Sequence, residues 1–359
     1  MRTTTSSHSR SGISLRLVWP LLLVCAAFPA PVRSRASEPL PATVPAGARD
    51  ILTEQSYWRF HITRKPPLVS PATSKAAGKN GSASVTLKRI VTNNIRVKGA
   101  EALQSCFPAD DWAAAAFEDR DWPRTRPAWI FKRSEACRTS DQRISLRGKF
   151  TVTSPSSAGD LFLTVRYRGG ALAYINGKEV ARSDMPAGAL KPEAPATPYP
   201  NEAWVDAKGK YIRADKRTSP EQKRAAELRA RTLGPVKLPR ELLRKGVNVL
   251  AVEVRRADFH PVARGWRTGV NMTHGMWLPF HLSDIRLQAT GAGVIANTER
   301  PKGLRAWAMD RNDRLTDMDY PDPNERTQPL RVLGGRNGAY GGLIGVGLDE
   351  RLPAAFESP

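Results

Sequence analysis

The strongest constraint on the fold is an alternation of period two along Arg143–Val152. Ile144, Leu146, Phe150 and Val152 share one parity, and Arg143, Ser145, Arg147, Lys149 and Thr151 share the other. Successive side chains of an extended chain point to opposite faces, so this stretch predicts a half-buried strand. Leu161, Leu163, Val165 and Tyr167 repeat the pattern after a Ser/Pro/Gly turn. Leu172–Ile175 predicts a third strand ending in Asn176-Gly177, a dipeptide that tolerates positive φ and signals a hairpin, with Lys178–Ala181 as the return. Val247–Val254 is nearly all apolar and β-branched, as in a central strand covered on both faces. Leu278–Leu287 supplies one more, and Tyr57–Ile62 alternates as a short edge strand. Several short β segments joined by antiparallel turns predict an all-β chain, an antiparallel β-sandwich.

Punctuation sets the organisation. Residues 37–84 combine two Pro/Gly-rich stretches of linker character with the possible edge strand, and 85–290 hold the sandwich. An insertion over 184–232 is Pro-rich at first. It then opens a helix at Ser219-Pro220-Glu221-Gln222, a capping box with proline at the first helical position, and the helix runs through Arg231. A second short helix is predicted over Pro239–Lys245, stopping at Gly246. Residues 291–328 have linker composition. Leu330–Val346 predicts a hairpin turning at Asn337-Gly338, so 329–359 reads either as the start of a second β domain or as a hairpin packed on the sandwich.

Residues 1–36 have the form of a secretory signal. Arg2, Arg10 and Arg16 precede the apolar run Leu17–Pro29, and Ser34-Arg35-Ala36 offers a small-residue exit. The run is shorter than the ~20 apolar residues of a membrane span, and no other stretch is long and apolar enough for a transmembrane segment. Val24 before Cys25 argues against a lipid-modified cysteine. The expected localisation is secreted, periplasmic or at the cell surface. Cys106 and Cys137 then remain, as one disulfide or as two buried free thiols. The net charge is +22, of which five positives lie in the signal, leaving about +17. Basicity speaks about partners. After export it favours anionic polysaccharides over nucleic acid, unless the charge is simply spread over a solvated surface.

Five ordered segments carry a family resemblance. Phe117-Glu118-Asp119-Arg120-Asp121-Trp122 resembles the "F-x-D-x-x-W" entry of the sugar-binding domain of family 2 glycoside hydrolases. Leu146-Arg147-Gly148-Lys149-Phe150 is similar to its "lRktF" strand, with Gly148 departing from it. Ala173–Val180 (AYINGKEV) resembles the "vyvNGkeV" hairpin, Leu242–Val252 (LLRKGVNVLAV) the "LkkGeNvlaV" strand, and His274–Leu282 (HGMWLPFHL) the "GIwrpVeL" closing strand. The resemblance covers about residues 110–290. It implies a galactose-binding-like jelly roll carrying a partly helical insertion and a short C-terminal β segment. It also implies an accessory role, since in that family the domain often does no chemistry and stands beside a catalytic barrel. Fold does not carry function with it.

No nucleophile motif, phosphate loop or zinc signature is present, and the five histidines show no metal-ligating spacing. No catalytic residue and no cofactor is expected. A structural Ca²⁺ is known in such folds, but no carboxylate cluster places one here. Asp110-Asp111 and Asp119-Asp121 are the only carboxylate pairs ahead of the sandwich, in a segment that the resemblance makes structural. For glycan contact the richest stretch is Phe259–Trp277. Trp266 and Arg267 are the leading candidates, with His260, Asn271 and His274 beside them. Indole faces stack on sugar C–H surfaces, while Arg, Asn and His bond hydroxyl or anionic groups. Trp122, Trp129 and Trp277 read as core. The expected function is a secreted accessory or carbohydrate-binding-like module of a larger carbohydrate-active protein, partnered by a glycan and by a downstream domain of the same parent. The alternatives are a scaffold without ligand and, third, a glycoside hydrolase.

Overall fold

In a computed structural model the described residues are 42–65, 68–69, 85–86, 104–127, 140–213, 217–262, 280–298, 300–309, 319–325, 329–330, 334, 338–339 and 341–348. The expected signal, 1–36, lies outside them. The strands in chain order are β1 (Arg49–Thr53), β2 (Trp58–Arg64), β3 (Leu68–Val69), β4 (Val85–Thr86), β5 (Arg124–Thr125), β6 (Asp141–Val152), β7 (Leu161–Arg168), β8 (Gly170–Ile175), β9 (Lys178–Ser183), β10 (Arg231–Lys237), β11 (Gly246–Arg255), β12 (His281–Ala289), β13 (Val294–Ile295), β14 (Arg305–Met309) and β15 (Leu343–Gly347). Among the described residues one α-helix, α1 (Pro220–Arg229), lies between β9 and β10.

The fold is an antiparallel β-sandwich. A small sheet has the order β1-β12-β7-β10, and a large sheet the order β5-β2-β6-β11-β8-β9, with β13 also paired to β6. From β6 to β13 each strand except β9 lies in the other sheet from the strand before it, and β14 and β15 form a two-stranded sheet of their own. Every such strand therefore turns one parity towards the opposing sheet, which is why the period-two pattern is so regular in the sequence. Ile144, Leu146, Phe150 and Val152 of β6 meet Leu161, Leu163, Val165 and Tyr167 of β7 in one buried core. β11 is central, paired in continuous register with β6 and with β8. The β8–β9 hairpin turns on Asn176 and Gly177, at φ of 51° and 91°, the left-handed pair that the Asn-Gly dipeptide allows.

Gly148 is explained by its partner. It pairs with Trp58 across β2 and β6, and the fully buried indole donates through Nε1 to the Thr53 carbonyl at 2.9 Å. A Cβ at Gly148 would stand 2.7 Å from the ring. The side chain missing from β6 is replaced by an indole from β2.

The insertion carries more structure than its composition suggests. α1 is capped as predicted, with Ser219 and Gln222 forming the reciprocal box. The segment also builds its own apolar cluster, in which Tyr199, Ala203 and Trp204 pack on Ala257 and Phe259. The helix expected over Pro239–Lys245 is a single 3-10 turn, Arg240–Leu242. Leu243 is then buried in the main core as the chain enters β11.

The C-terminal segment has a partner that the sequence did not suggest. β15 pairs with β14, from the expected linker, and most of the residues ahead of Asn337-Gly338 lie outside the described residues. Trp307 of β14 lies opposite Gly345 of β15 and is buried over it, 2.5 Å from where a Cβ would stand. That aromatic-over-glycine contact selects the partner. Asn337 lies outside the described residues.

Gly148→Thr should lower stability by roughly 3 kcal/mol because the indole cannot move aside without vacating the core. A urea unfolding midpoint that falls at unchanged slope is the expected outcome.

Candidate functional site

The outward parity of β6 places Arg143, Ser145, Arg147, Lys149 and Thr151 in a row on the outer face of the large sheet. This face is nevertheless not solvated. Arg147 is 1% exposed and Arg143 is 6% exposed. Two segments cover the row, and both do so with carboxylates.

The first cover is the stretch ahead of β5. Its Trp112 and Trp122 stack at 6.0 Å between centroids and pack on Val249 and Ala251 of β11. Its Asp119 accepts from Arg147 Nε at 2.8 Å and from Lys149 Nζ at 2.7 Å. The rest of the Arg147 guanidinium donates to the carbonyls of Trp112, of Ala114 at 2.9 Å and of Phe117 at 3.4 Å. The Asp of the entry motif is thus the counter-ion of the Arg of the strand motif.

The second cover is residues 319–325 (DYPDPNE), a stretch whose composition predicts a linker. Glu325 takes both nitrogens of an Arg59 fork, at 2.8 and 2.7 Å, and accepts from Lys149 at 3.2 Å. Asn324 accepts from Thr151 Oγ1 at 2.6 Å. Asp319 accepts from the Tyr57 hydroxyl at 2.6 Å. The Arg124 guanidinium lies 4.1 Å from the Tyr57 ring centre, and its Nη2 donates to the Tyr320 carbonyl at 3.0 Å. Asp322 is buried, accepting through Oδ1 from Asn297 Nδ2 at 3.0 Å and from the Asn324 amide at 2.8 Å. Burial, together with the hydrogen bond to Asp319, pushes the Tyr57 phenol up to about 12. Burial and then the charge of Glu325 push Asp322 up to about 6, against the Asn324 amide, Lys149 and Arg124. Burial also opposes ionisation of Glu325, but the Arg59 hydrogen bonds and the charges of Arg59, Lys149 and Arg124 hold it down to about 2.

Two carboxyls with values driven apart are a pattern seen in acid–base pairs. Here Asp322 is enclosed by protein and Glu325 is held by Arg59 and Lys149, so the arrangement holds the chain together.

The two Asn-bearing motifs also meet. Asn176 Nδ2 donates to Asn248 Oδ1 at 2.8 Å and to the Leu242 carbonyl at 2.9 Å, and its Oδ1 accepts from the Val249 amide at 3.0 Å. The "NG" hairpin is tied in this way to the "GxN" strand start 72 residues later.

Of the expected glycan contacts, Trp266, Arg267, Asn271 and His274 lie outside the described residues. His260 sits against the insertion, with Nε2 3.1 Å from Asn201 Oδ1 and Nδ1 accepting from the Val262 amide at 3.2 Å. Burial and then the nearby Arg229 lower its pKa. The five described tryptophans, Trp58, Trp112, Trp122, Trp204 and Trp307, are all buried, so none of them offers an indole face to a sugar. Trp122 is core, as the sequence suggested. Asp110, Asp111 and Asp121 are exposed, and Asp119 is engaged as above. Cys106 carries an exposed free thiol where a bond to Cys137 was one expectation, and Cys137 lies outside the described residues. Among the described residues no group of three His, Cys, Asp or Glu side chains is placed to hold a metal ion, and no helix is long and apolar enough to cross a membrane. The sequence had not pointed to Arg59, Tyr57, Asp322, Asn324 or Glu325. Their only local signal was the spacing of three acids in a Pro-containing heptapeptide.

Comparison with known proteins gives structural likeness only. No family model matches the chain, and no curated protein matches it. Among solved structures it is similar to a calcium-binding mutant of Bacteroides uniformis β-glucuronidase 2, at 15% identity and a TM-score of 0.29, covering 73% of this chain and 20% of that one. A β-glucuronidase of an uncultured Clostridium is 12% identical with a TM-score of 0.30, over 77% of this chain and 34% of that one. The Bifidobacterium dentium β-glucuronidase in complex with coumarin-3-O-glucuronide is 11% identical with a TM-score of 0.31, over 76% and 32%. The chain thus spans between a fifth and about a third of the length of these enzymes.

Asp119→Ala should cost about 3–5 kcal/mol, because it strands the Arg147 charge inside the protein. Arg120→Ala, whose partner Glu118 is exposed, should leave the unfolding midpoint nearly unchanged. Chemical unfolding of the two variants in parallel checks the contrast.

Proposed function

We propose that this chain is a secreted, non-catalytic accessory β-sandwich of the galactose-binding-like type, working within a larger carbohydrate-active protein. The observation that carries the reading is where the polar residues of the family-like motifs go. Asp119 pairs with Arg147, and Asn176 pairs with Asn248. These residues hold the sandwich closed and leave no reacting group among them. This supports a module that positions or recognises, with the chemistry residing elsewhere in the parent.

Glycan recognition is proposed for the stretch of sequence that follows β11, through Trp266 and Arg267 with His260, Asn271 and His274. The net charge of about +17 outside the signal favours anionic polysaccharides. A downstream domain of the same parent is the second partner. The alternative of a scaffold without ligand is favoured by one observation, the burial of every described indole.

Affinity electrophoresis of residues 38–359 in gels containing neutral or sulfated polysaccharide, over a salt series, tests both readings. Retardation by the sulfated glycan only, weakened by salt and lost in the Trp266→Ala/Arg267→Ala variant, is expected. A folded protein that migrates alike in every gel leaves the scaffold reading and removes the binding loop.

A further inference from the structure

Residues 319–325 form the least expected feature of the molecule. They bring three carboxylates, Asp319, Asp322 and Glu325, onto a face built by Arg59, Arg124 and Lys149. Two of the three have a strong counterpart: Glu325 has Arg59 and Lys149, and Asp319 has the Tyr57 hydroxyl. Asp322, 5% exposed, differs. Among the described residues no Lys or Arg lies within ion-pair distance of it, and its partners are the side-chain amide of Asn297 and the backbone and side-chain amides of Asn324. A carboxylate enclosed without a cation, beside a second carboxylate that monopolises the cations, is costly when ionised. The same segment reaches the C-terminal hairpin. Arg300 donates to the Asp319 carbonyl and to the Leu348 carbonyl just past β15, each at 3.1 Å.

We propose that residues 319–325 are a proton-operated latch: with a proton on Asp322 the segment is fastened to the large sheet and carries the β14–β15 hairpin with it, and loss of that proton loosens both. The groups facing the latch are Tyr57 and Arg59 at β2, Arg124 at β5 with Arg126 beyond it, Lys149 and Thr151 of β6, Asp119 of the neighbouring cover, Asn297 after β13, and Arg300. Tyr57 keeps its proton between pH 5 and 8, and Glu325 stays ionised there.

The direction follows from linkage. The Asp322 value is raised in the folded protein to about 6 from an ordinary 3.8. Its contribution is therefore fully present below about 3.8 and lost as the pH rises through about 6. The Glu325 value is lowered, so its contribution is present above about 4.5 and lost only as the pH falls through about 2. The latch is tightest in mild acid and loosens towards neutrality. Between pH 8 and pH 5 the closed form should gain about tenfold over the open one.

Hydrogen exchange of the full chain tests this, read as protection factors corrected for the intrinsic rate at each pH. The reporters are the amides of Asn324 and Glu325, which donate to Asp322 Oδ1 and to the Asp322 carbonyl. The expected result is about tenfold more protection at pH 5 than at pH 8, with β6 and β11 amides unchanged as an internal measure of folding. Asp322→Asn, which cannot ionise, should hold its protection level from pH 5 to 8. Glu325→Gln should lower protection at both values and shrink the pH dependence without abolishing it, because burial, the larger cause of the Asp322 shift, remains. Equal protection of the wild-type latch at pH 5 and 8, or a pH dependence that survives in Asp322→Asn, overturns the proposal.

Discussion

The buried guanidinium of Arg147 is the constraint from which the outer half of the structure follows. A charge enclosed at this depth is tolerated only if it is paired and its N–H groups find acceptors. The answer comes from outside the sheet: the Asp119 carboxylate and three carbonyls of the 112–117 stretch. Those acceptors can converge only if that stretch is folded down onto β6 and β11, which also buries Trp112 and Trp122. An ionic requirement and an apolar one are thereby met by the same cover. Lys149, two residues along the same parity, bridges Asp119 of this cover to Glu325 of the next, so the two covers share a cation.

How much of this was legible in the sequence depends on how far apart the cooperating residues lie. The strands of the sandwich, the Asn176-Gly177 turn and the capped start of α1 were legible because their causes are local: parity, positive φ and a reciprocal cap within four residues. The 319–325 segment was not. Polar and Pro-containing, it has the composition of a solvated linker, and what holds it is Arg59, 266 positions earlier, and Lys149, 176 positions earlier. The β14 partner of β15 was not legible for a related reason. Asn337-Gly338 offered a local turn, whereas the contact between β14 and β15 is the indole of Trp307 over Gly345, which appears only once the strands are in register. Arg229 of α1 reads as a surface cation, yet its Nε donates to the Ala203 carbonyl at 2.7 Å and its head lies 4.1 Å from the Trp204 ring centre. The candidate glycan loop stands on sequence alone beyond His260, because 263–279 lie outside the described residues.

The buried arginines also change what the basic composition means. Arg126, Arg143, Arg147, Arg229, Arg255 and Arg256 are buried, against buried carboxylates at Asp119, Asp141, Glu253 and Asp322. Arginine suits this use because its head is planar, weakly hydrated and rich in donors, so it can be answered by carbonyls and rings as well as by acids. Arg229 takes that course, while Arg143 and Arg255 share Glu253. Part of the positive charge counted in the sequence is therefore structural, and attraction of an anionic glycan has to come from the cations left outside. Those exposed cations are the ones that salt screens. The interior set, locked into short contacts in a low dielectric, responds far less to ionic strength. A salt series thus separates the two populations: loss of glycan retention without loss of stability would place recognition on the exposed cations alone and leave the arginines of the large sheet to architecture.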